Sequence, residues 1–165
     1  MERAILLLGS NLGDRADYLK RAVNFLDKEG VEIVKMSSVY ESPPFGYESN
    51  STYYNLAIEI GIEVTPGKLL EICQSIESKL KRIRSTIKRY SDRTIDIDII
   101  LIEGKVLNEI DLIVPHPRMH ERIFCLKPVN EIAGSWVIGT LNKTVKEVLE
   151  SLKDINDVNK IDVRV

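Results

Sequence analysis

The chain has 165 residues, 44% of them hydrophobic and 29% charged, with a formal net charge of −2 at pH 7. This composition is ordinary for one globular domain with a sizeable core, and we expect a single domain over residues 1–165. The near-neutral balance gives no overall reason to expect nucleic acid or an anionic membrane as a partner, so a cationic site must be local.

The first elements are predicted to be a strand, a helix and a second strand. "RAILLLG" indicates a buried strand that is too short to span a membrane, and "GSNLGDR" follows it rather than a small-residue cleavage site. A helix should follow and end near Gly30. Its apolar positions, at helical spacing, are Leu19, Ala22, Val23 and Leu26. "VEIVKMSSVY", residues 31–40, then predicts one strand.

A third strand and a second helix come next. "TYYNLAIEIGIEV" alternates between a core face and a polar face that carries Asn55. Thr65 and Pro66 have the order of an N-cap and a first helical residue. The apolar stripe of this helix is Leu69, Cys73, Ile76, Leu80 and Ile83.

The strand in "RTIDIDIILI", residues 93–102, completes the order β-α-β-β-α-β, which is the pattern of a ferredoxin-like fold. We therefore expect an α+β protein with a mostly antiparallel sheet. Beyond this core, "NEIDLIVP" is a candidate strand, "HPRMHERIF" a loop entering a short helix, and Thr144 to Glu147 has capping-box spacing. Cys73 and Cys125 sit in apolar settings without metal-ligand spacing, which predicts reduced core thiols and a cytoplasmic location.

Two carboxylates interrupt the β-branched run of the last strand. Aspartate is depleted from strands, so Asp96 and Asp98 need an offsetting interaction. With a side-chain period of two, both point to one face with Cα atoms about 6.6 Å apart. The opposite face should carry Ile95, Ile97, Ile99 and Leu101. A cation would offset the repulsion, and such oxygen ligands suit Mg²⁺ together with substrate phosphates. The alternative is an exposed sheet face on which the acids pair with Lys or Arg.

A basic stretch stands directly upstream. Residues 79–93 contain seven Lys or Arg and one Asp, a local net charge of +6. Such a cluster leading into paired carboxylates suits a polyphosphate, with cations on one side and metal on the other. The alternative is a solvated helix face, which fits Lys79 and Lys81 better than it fits Arg89, Tyr90 and Arg93 in the following loop.

The sequence has no P-loop motif to hold phosphates. His116 lies four residues before a second histidine, but flanking prolines keep it out of a helix interior, so zinc is not expected. A histidine beside arginines could instead donate to a phosphate oxygen. Phe45, Tyr53, Asn55 and Phe124 could hold a flat heterocycle, with the rings stacking and the amide reading a polar edge.

Taken together, five motifs resemble those of the 6-hydroxymethyl-7,8-dihydropterin pyrophosphokinases of folate biosynthesis: "GSNLGD", "YESPPFG", "YYN", "RTIDIDI" and "VPHPRMHERIF". The resemblance covers nearly the whole chain. It implies a ferredoxin-like core in a three-layer α-β-α arrangement and an enzyme that transfers pyrophosphate from ATP to the pterin hydroxymethyl group, releasing AMP. We expect a monomer whose partners are these two small molecules, with no nucleic acid and no membrane.

The resemblance also implies roles for individual positions. Asp96 and Asp98 would bind two Mg²⁺ ions that bridge the triphosphate. The positions implied in catalysis are Arg82, Arg89, Arg93, Asp96 and Asp98. The positions implied in ATP binding are Gln74, Glu77, Arg82, Arg84, Tyr90, Arg93, Ile99, Ile113, His116 and Arg122. The positions implied in the pterin pocket are Ser42, Pro43, Pro44, Phe45, Tyr53, Asn55, Asp96 and Phe124. Tyr90, Phe45 and Pro117 differ from the residues in some members.

Two other classes of protein share part of this pattern. A ferredoxin-like ligand- or RNA-binding module without catalysis would explain the basic stretch and the aromatics. Two acids on its open face, however, would repel RNA phosphates unless a metal were present. A metal-dependent phosphohydrolase would share the carboxylates but would not need the aromatic pocket with Asn55.

Overall fold

A computed structural model describes residues 1–81, 91–153 and 157–165 of the chain. The helices of these ranges are α1 (Arg15–Lys28), α2 (Pro66–Lys79), α3 (Ile123–Ala133) and α4 (Val145–Ser151), with a 3₁₀ turn at Met119–Glu121. The strands are β1 (Glu2–Ser10), β2 (Glu32–Met36), β3 (Val39–Ser42), β4 (Tyr53–Ile62), β5 (Asp96–Ile102), β6 (Leu107–Asn108), β7 (Ile113–Val114), β8 (Val137–Ile138), β9 (Lys143–Thr144) and β10 (Asn159–Ile161).

One antiparallel sheet of six strands organises the fold. Its order is β10-β3-β4-β1-β5, and β2 also pairs with β4. β1 pairs with β4 over its full length, from Glu2 opposite Ile62 to Ser10 opposite Tyr54, and with β5 on its other side. Seven consecutive residues of β1, from Ala4 to Ser10, are buried. A continuous apolar run suits this strand because it is covered on both faces.

Helices pack on both faces of the sheet. On one face, α1 and α2 form a core with Leu6, Leu8 and the even-numbered apolar residues of β4. On the other face, α3 and α4 pack on Ile5, Leu7 and Ala57. The face of β4 predicted to be polar is therefore buried as well, and Asn55 is only 2% exposed. Cys73 and Cys125 are free, buried thiols, as expected.

The predicted end of α1 and the predicted N-terminal caps of α2 and α4 are confirmed. α1 ends at Lys28, and Gly30 follows with φ of +80°, a left-handed conformation that glycine adopts without strain. The Thr65 side chain accepts a hydrogen bond from the Lys68 N–H at the start of α2. Thr144 and Glu147 form the capping box of α4. α2 ends at Lys79, so its predicted stripe stops at Leu80, and Ile83 lies outside the described residues.

The prediction of one strand over residues 31–40 is wrong. Two strands, β2 and β3, pair with β4 on either side of a break at Ser37 and Ser38. The Ser37 hydroxyl oxygen accepts a hydrogen bond from the Ala57 N–H at 3.0 Å, in place of a strand carbonyl. The Ser38 N–H donates at 3.0 Å to Glu131 of α3. These side-chain bonds satisfy the backbone where the ladder is interrupted.

The predicted alternation of β5 holds only to Ile99. Ile95, Ile97 and Ile99 lie in the core under α1 and α2, whereas Leu101 lies on the opposite face. The reason is a β-bulge: Leu6 pairs with Ile99 and Ile5 pairs with Leu101, so Ile100 is an extra residue that reverses the sides.

The segment "NEIDLIVP" does contribute a strand. β7 pairs with β6 in a small hairpin, separate from the central sheet. Within the described ranges, no helix has the length and apolar character needed to cross a bilayer.

Candidate active site

A cleft opens on the α3 face of the sheet, where β1 ends and where β4 and β5 begin. It encloses about 540 Å³ of space, open mouth included. The strand register brings Asn55 and Asp96 to this cleft on either side of Gly9. Gly9 pairs with Asn55 of β4 and with Asp96 of β5. The lining residues are Leu7, Gly9, Ser42, Pro43, Phe45, Tyr47, Tyr53, Asn55, Arg93, Asp96, Asp98, Arg122 and Phe124.

The two carboxylates form one wall of this cleft. Asp96 and Asp98 are both half-buried and line the cavity together. The Arg93 Nη1 atom donates to Asp96 Oδ2 at 2.9 Å, so the pairing of an acid with a cation, one of our two interpretations, holds for this carboxylate. Over residues 1–81, 91–153 and 157–165, no group of three or more His, Cys, Asp and Glu side chains is arranged to hold a metal. Two carboxylates still fit Mg²⁺, which commonly takes one or two from the protein and its remaining oxygens from water and phosphate.

Arg93 is positioned by its backbone as well as by its side chain. The Arg93 N–H donates to the Asn11 side-chain oxygen at 2.8 Å, and the Asn11 N–H donates to the Arg93 carbonyl at 3.1 Å. The "GSNLG" turn after β1 thereby holds the loop that precedes β5. Burial by itself would lower the pKa of Arg93, but the adjacent Asp96 carboxylate raises it above its usual value, so the guanidinium stays charged.

Asn55 is oriented by two hydrogen bonds. Its side-chain amide donates to the Tyr40 carbonyl at 3.0 Å and to the Ser42 hydroxyl at 2.8 Å. Both amide hydrogens are then used within the protein, which leaves the carbonyl oxygen of Asn55 as the atom that can serve a ligand. This side chain is therefore suited to accept a hydrogen bond from an N–H group of a heterocycle.

Phe45, Phe124 and Arg122 also line the cleft, and Arg118 adjoins Phe45. The rings of Phe45 and Phe124 have centroids 5.7 Å apart and planes tilted by 55°. The Arg122 guanidinium lies 5.9 Å from the Phe45 centroid and 5.7 Å from that of Phe124, and Arg118 lies 5.7 Å from Phe45. These distances are in the range of cation–π contacts. The guanidinium groups of Arg118 and Arg122 thus lie next to the aromatic end of the cleft, formed by Phe45 and Phe124.

His116 is not among the residues that line the cleft, but it adjoins Arg118 and has a defined protonation state. Burial, reinforced by the charge of Arg122, lowers the pKa of His116 to about 4. The neutral ring accepts a hydrogen bond from the Arg118 N–H at its Nδ1 atom, at 3.2 Å. The proton therefore resides on Nε2, which can donate to a phosphate oxygen. The His116 N–H donates at 2.8 Å to the carbonyl of Ile100, the bulged residue of β5, so the bulge helps to position this histidine.

The other predicted positions lie outside the cleft lining or outside the described residues. Gln74 is exposed on α2, and Ile113 on β7 is 44% exposed. Ile99 is in the core. Glu77 is buried under β5, where its Oε1 atom accepts a hydrogen bond from the Ile97 N–H at 2.9 Å. Pro44 is not among the lining residues, although its neighbour Pro43 is. Arg82, Arg84, Arg89 and Tyr90 lie outside the described residues.

Sequence reasoning missed a hydrogen-bond network behind the cleft. Asp92 accepts from the Asn11 amide at 2.8 Å, from the Tyr47 hydroxyl at 3.1 Å and from the Ser49 hydroxyl at 2.9 Å. The hydroxyls of Tyr47 and Tyr53 are 2.6 Å apart. These bonds hold the pKa of Asp92 below its usual value although burial opposes this, and burial raises the pKa of both tyrosines. An aromatic residue two positions after Phe45 was the available signal for Tyr47.

Comparison with known proteins gives a consistent result. The family model for 7,8-dihydro-6-hydroxymethylpterin-pyrophosphokinase (HPPK) matches residues 5–134. A "2-amino-4-hydroxy-6-hydroxymethyldihydropteridine pyrophosphokinase" of Bacillus subtilis is 45% identical over 130 residues, which cover 78% of this chain and 77% of that protein. The protein of the same name from Methylorubrum extorquens is 42% identical over 153 residues, covering 92% of this chain and 94% of that protein.

Solved structures share the fold at lower identity. A crystal structure described as HPPK-DHPS in complex with substrates superposes with a TM-score of 0.71 at 15% identity, covering 91% of this chain and 43% of the other. The Plasmodium falciparum HPPK-DHPS with pteroate gives 0.72 at 17% identity, covering 90% and 42%. The chain therefore spans less than half the length of these two solved proteins.

Proposed function

Because the chain belongs to the 7,8-dihydro-6-hydroxymethylpterin-pyrophosphokinase family, we propose that the cleft described above is its active site. The enzyme is a pyrophosphokinase of folate biosynthesis, which transfers pyrophosphate from ATP to the hydroxymethyl group of 6-hydroxymethyl-7,8-dihydropterin and releases AMP. The observation that carries the assignment to this cleft is the strand register around Gly9. It sets an amide suited to a heterocycle next to a carboxylate suited to a metal-bound phosphate.

The pterin site is proposed at the aromatic end of the cleft. Phe45 and Phe124 offer ring faces, and the Asn55 oxygen is available to an N–H of the heterocycle. Asp96 and Asp98 line the same cleft, and the Arg93 guanidinium donates to Asp96. The substrate hydroxymethyl group would therefore lie near the carboxylates, where the triphosphate is expected.

The protein contributes to this reaction by positioning the two substrates and by stabilising the charge on the phosphate oxygens. The substrate hydroxyl attacks the β-phosphorus of ATP in line with the departing AMP. Arg93, Arg122 and the Nε2–H of His116 can donate to phosphate oxygens as charge develops on them. Mg²⁺, when held by Asp96 and Asp98, would neutralise phosphate charge and orient the triphosphate. We propose two such ions, and we propose that Arg82 and Arg89 add positive charge from the segment upstream.

The remaining expectations are also proposals. The order β1-α1-β2/β3-β4-α2-β5, with β1 between β4 and β5, supports a ferredoxin-like core, and the helices on its two faces support a three-layer description. We propose that Gln74, Glu77, Ile99 and Ile113 border the nucleoside of ATP. A monomeric state and a cytoplasmic location stay predictions.

Calorimetry separates this proposal from a binding module. A non-hydrolysable ATP analogue should bind tightly only with Mg²⁺ present, and the pterin should then bind to that complex. Equal binding of the analogue without Mg²⁺ would contradict the metal role. Binding of single-stranded RNA, with no response to the pterin, would favour the ferredoxin-like RNA module instead.

A further inference from the structure

We propose that Asp92 is a positioning residue for the pyrophosphoryl transfer, because it joins the segment 47–53 on the pterin side of the cleft to the loop that carries Arg93. The inference rests on the proposed function, since it assigns a role within that reaction. Asp92 itself does not line the cleft among the described residues, so it acts through its neighbours.

Asp92 receives hydrogen bonds from two different parts of the chain. Its Oδ1 atom accepts from the Asn11 amide, in the turn after β1, and from the Tyr47 hydroxyl, in the connection between β3 and β4. Its Oδ2 atom accepts from Ser49, in that same connection. Asp92 itself belongs to a third segment, the loop before β5. A carboxylate with several acceptor sites can serve these donors together, and bonds to an ionised acceptor are stronger than neutral ones.

Three cleft residues depend on this junction: Arg93, Tyr47 and Tyr53. Arg93 follows Asp92 directly, and its side chain reaches Asp96 at 2.9 Å. On the other side, Tyr47 bonds both to Asp92 and to the Tyr53 hydroxyl, at 3.1 and 2.6 Å, and both tyrosines line the cleft. A shift of the Asp92 carboxylate would therefore move an arginine of the phosphate side and two rings of the pterin side.

The burial of Asn11 makes this junction sensitive to removal of the Asp92 carboxylate. Asn11 is 2% exposed, so loss of the Asp92 carboxylate would remove the 2.8 Å acceptor of a buried amide and leave it the Tyr47 hydroxyl at 3.1 Å and the Ser51 carbonyl at 3.5 Å. The Asn11 side-chain oxygen would still accept from the Arg93 N–H, which preserves part of the loop. Removal of the carboxylate should consequently loosen the geometry of the cleft without unfolding the sheet.

The test compares Asp92→Ala, Asp92→Asn and Glu48→Ala by steady-state release of AMP with varied pterin and varied ATP. Asp92→Ala should lower kcat/KM for the pterin at least tenfold, with a raised KM for the pterin as well as a lowered kcat. Asp92→Asn keeps one acceptor oxygen in the same shape and should recover most of the loss. Glu48 is an exposed acid in the same segment, and its removal should leave both constants unchanged.

Each outcome bears on the inference. An Asp92→Ala enzyme within twofold of the wild type, or an Asp92→Asn enzyme as impaired as the alanine variant, overturns it. Should Asp92→Ala fail to fold, the double variant Tyr47→Phe, Ser49→Ala removes two donors to the carboxylate, and it must raise the KM for the pterin or the inference falls. A wild-type protein that releases no AMP on addition of pterin would instead overturn the proposed function.

Discussion

Arg93 and Asp96 form an ion pair in which the guanidinium Nη1 atom lies 2.9 Å from a carboxylate oxygen at the cleft. The same carboxylate is expected to hold magnesium. Because a metal ion and the guanidinium would share the negative charge of one carboxylate, binding of a metal nucleotide should weaken this pair and release Arg93 toward the phosphates. The pair therefore links the two halves of our proposal, the metal site and the cationic phosphate site.

The first prediction concerns Asp98. Asp98→Ala should leave a folded protein that still binds pterin but turns over at least about 100-fold more slowly, the typical effect of losing one key electrostatic group. Steady-state AMP release measures the loss. Asp111→Ala, which removes an exposed acid, is the matched control. Near-normal turnover of the Asp98 variant in saturating Mg²⁺ would count against the metal role.

The second prediction separates catalysis from folding at Arg93. Arg93→Ala should lower kcat substantially but change the thermal midpoint little. The backbone hydrogen bonds between Asn11 and residue 93 do not need the side chain and should persist in the variant. Circular dichroism and AMP release together measure this split. Arg21→Ala on α1, which removes an exposed arginine, should change neither quantity. An unfolded Arg93 variant would make the proposed role untenable.

The third prediction concerns the effect of pH on stability. His116 titrates near 6.5 when the chain is unfolded, but burial lowers its pKa to about 4 in the folded protein. Between these values the unfolded chain binds one proton more, so stability is fully present above about pH 6.5 and falls as the pH drops toward 4. The contribution is about 1.4 kcal/mol per pH unit within that window. The free energy of unfolding, measured by urea denaturation at several pH values, should depend less steeply on pH for His116→Gln than for the wild type. An identical pH dependence would contradict this protonation state.

The fourth prediction concerns the buried Glu77, which is 3% exposed. Glu77→Ala should reduce the free energy of unfolding by about 1–3 kcal/mol, because the Ile97 N–H loses its acceptor inside the protein. Glu77→Gln keeps an acceptor oxygen and should lose less. Urea denaturation of both variants measures the difference. If the two substitutions prove equally mild, the hydrogen bond contributes little to stability.

The position of the acid pair followed from the sequence because strand side chains alternate with a fixed period. Asp96 and Asp98 accordingly share the cleft. The same rule failed at Leu101, since the bulge at Ile100 depends on how β5 pairs with β1 and leaves no mark in the sequence. The break at Ser37 and Ser38 was missed for a similar reason: the partners of these serines, Ala57 and Glu131, are distant in the chain.

In the site, too, features marked by local sequence motifs could be predicted, whereas contacts between distant segments could not. Motifs around Asn55 and Phe124 pointed to a heterocycle pocket, and the structure brings these residues to one cleft. The junction at Asp92 could not be predicted, because its partners come from separate segments that meet only after folding. No local pattern marks Asp92 as anything other than a loop acid beside an arginine.

The most direct test of the central claim is a crystal structure of the protein with Mg²⁺, a non-hydrolysable ATP analogue and the pterin. Our account predicts metal bound to Asp96 and Asp98, with the triphosphate in contact with that metal and the pterin beside Asn55. Metal-free carboxylates, with the triphosphate bound elsewhere on the protein, would contradict it.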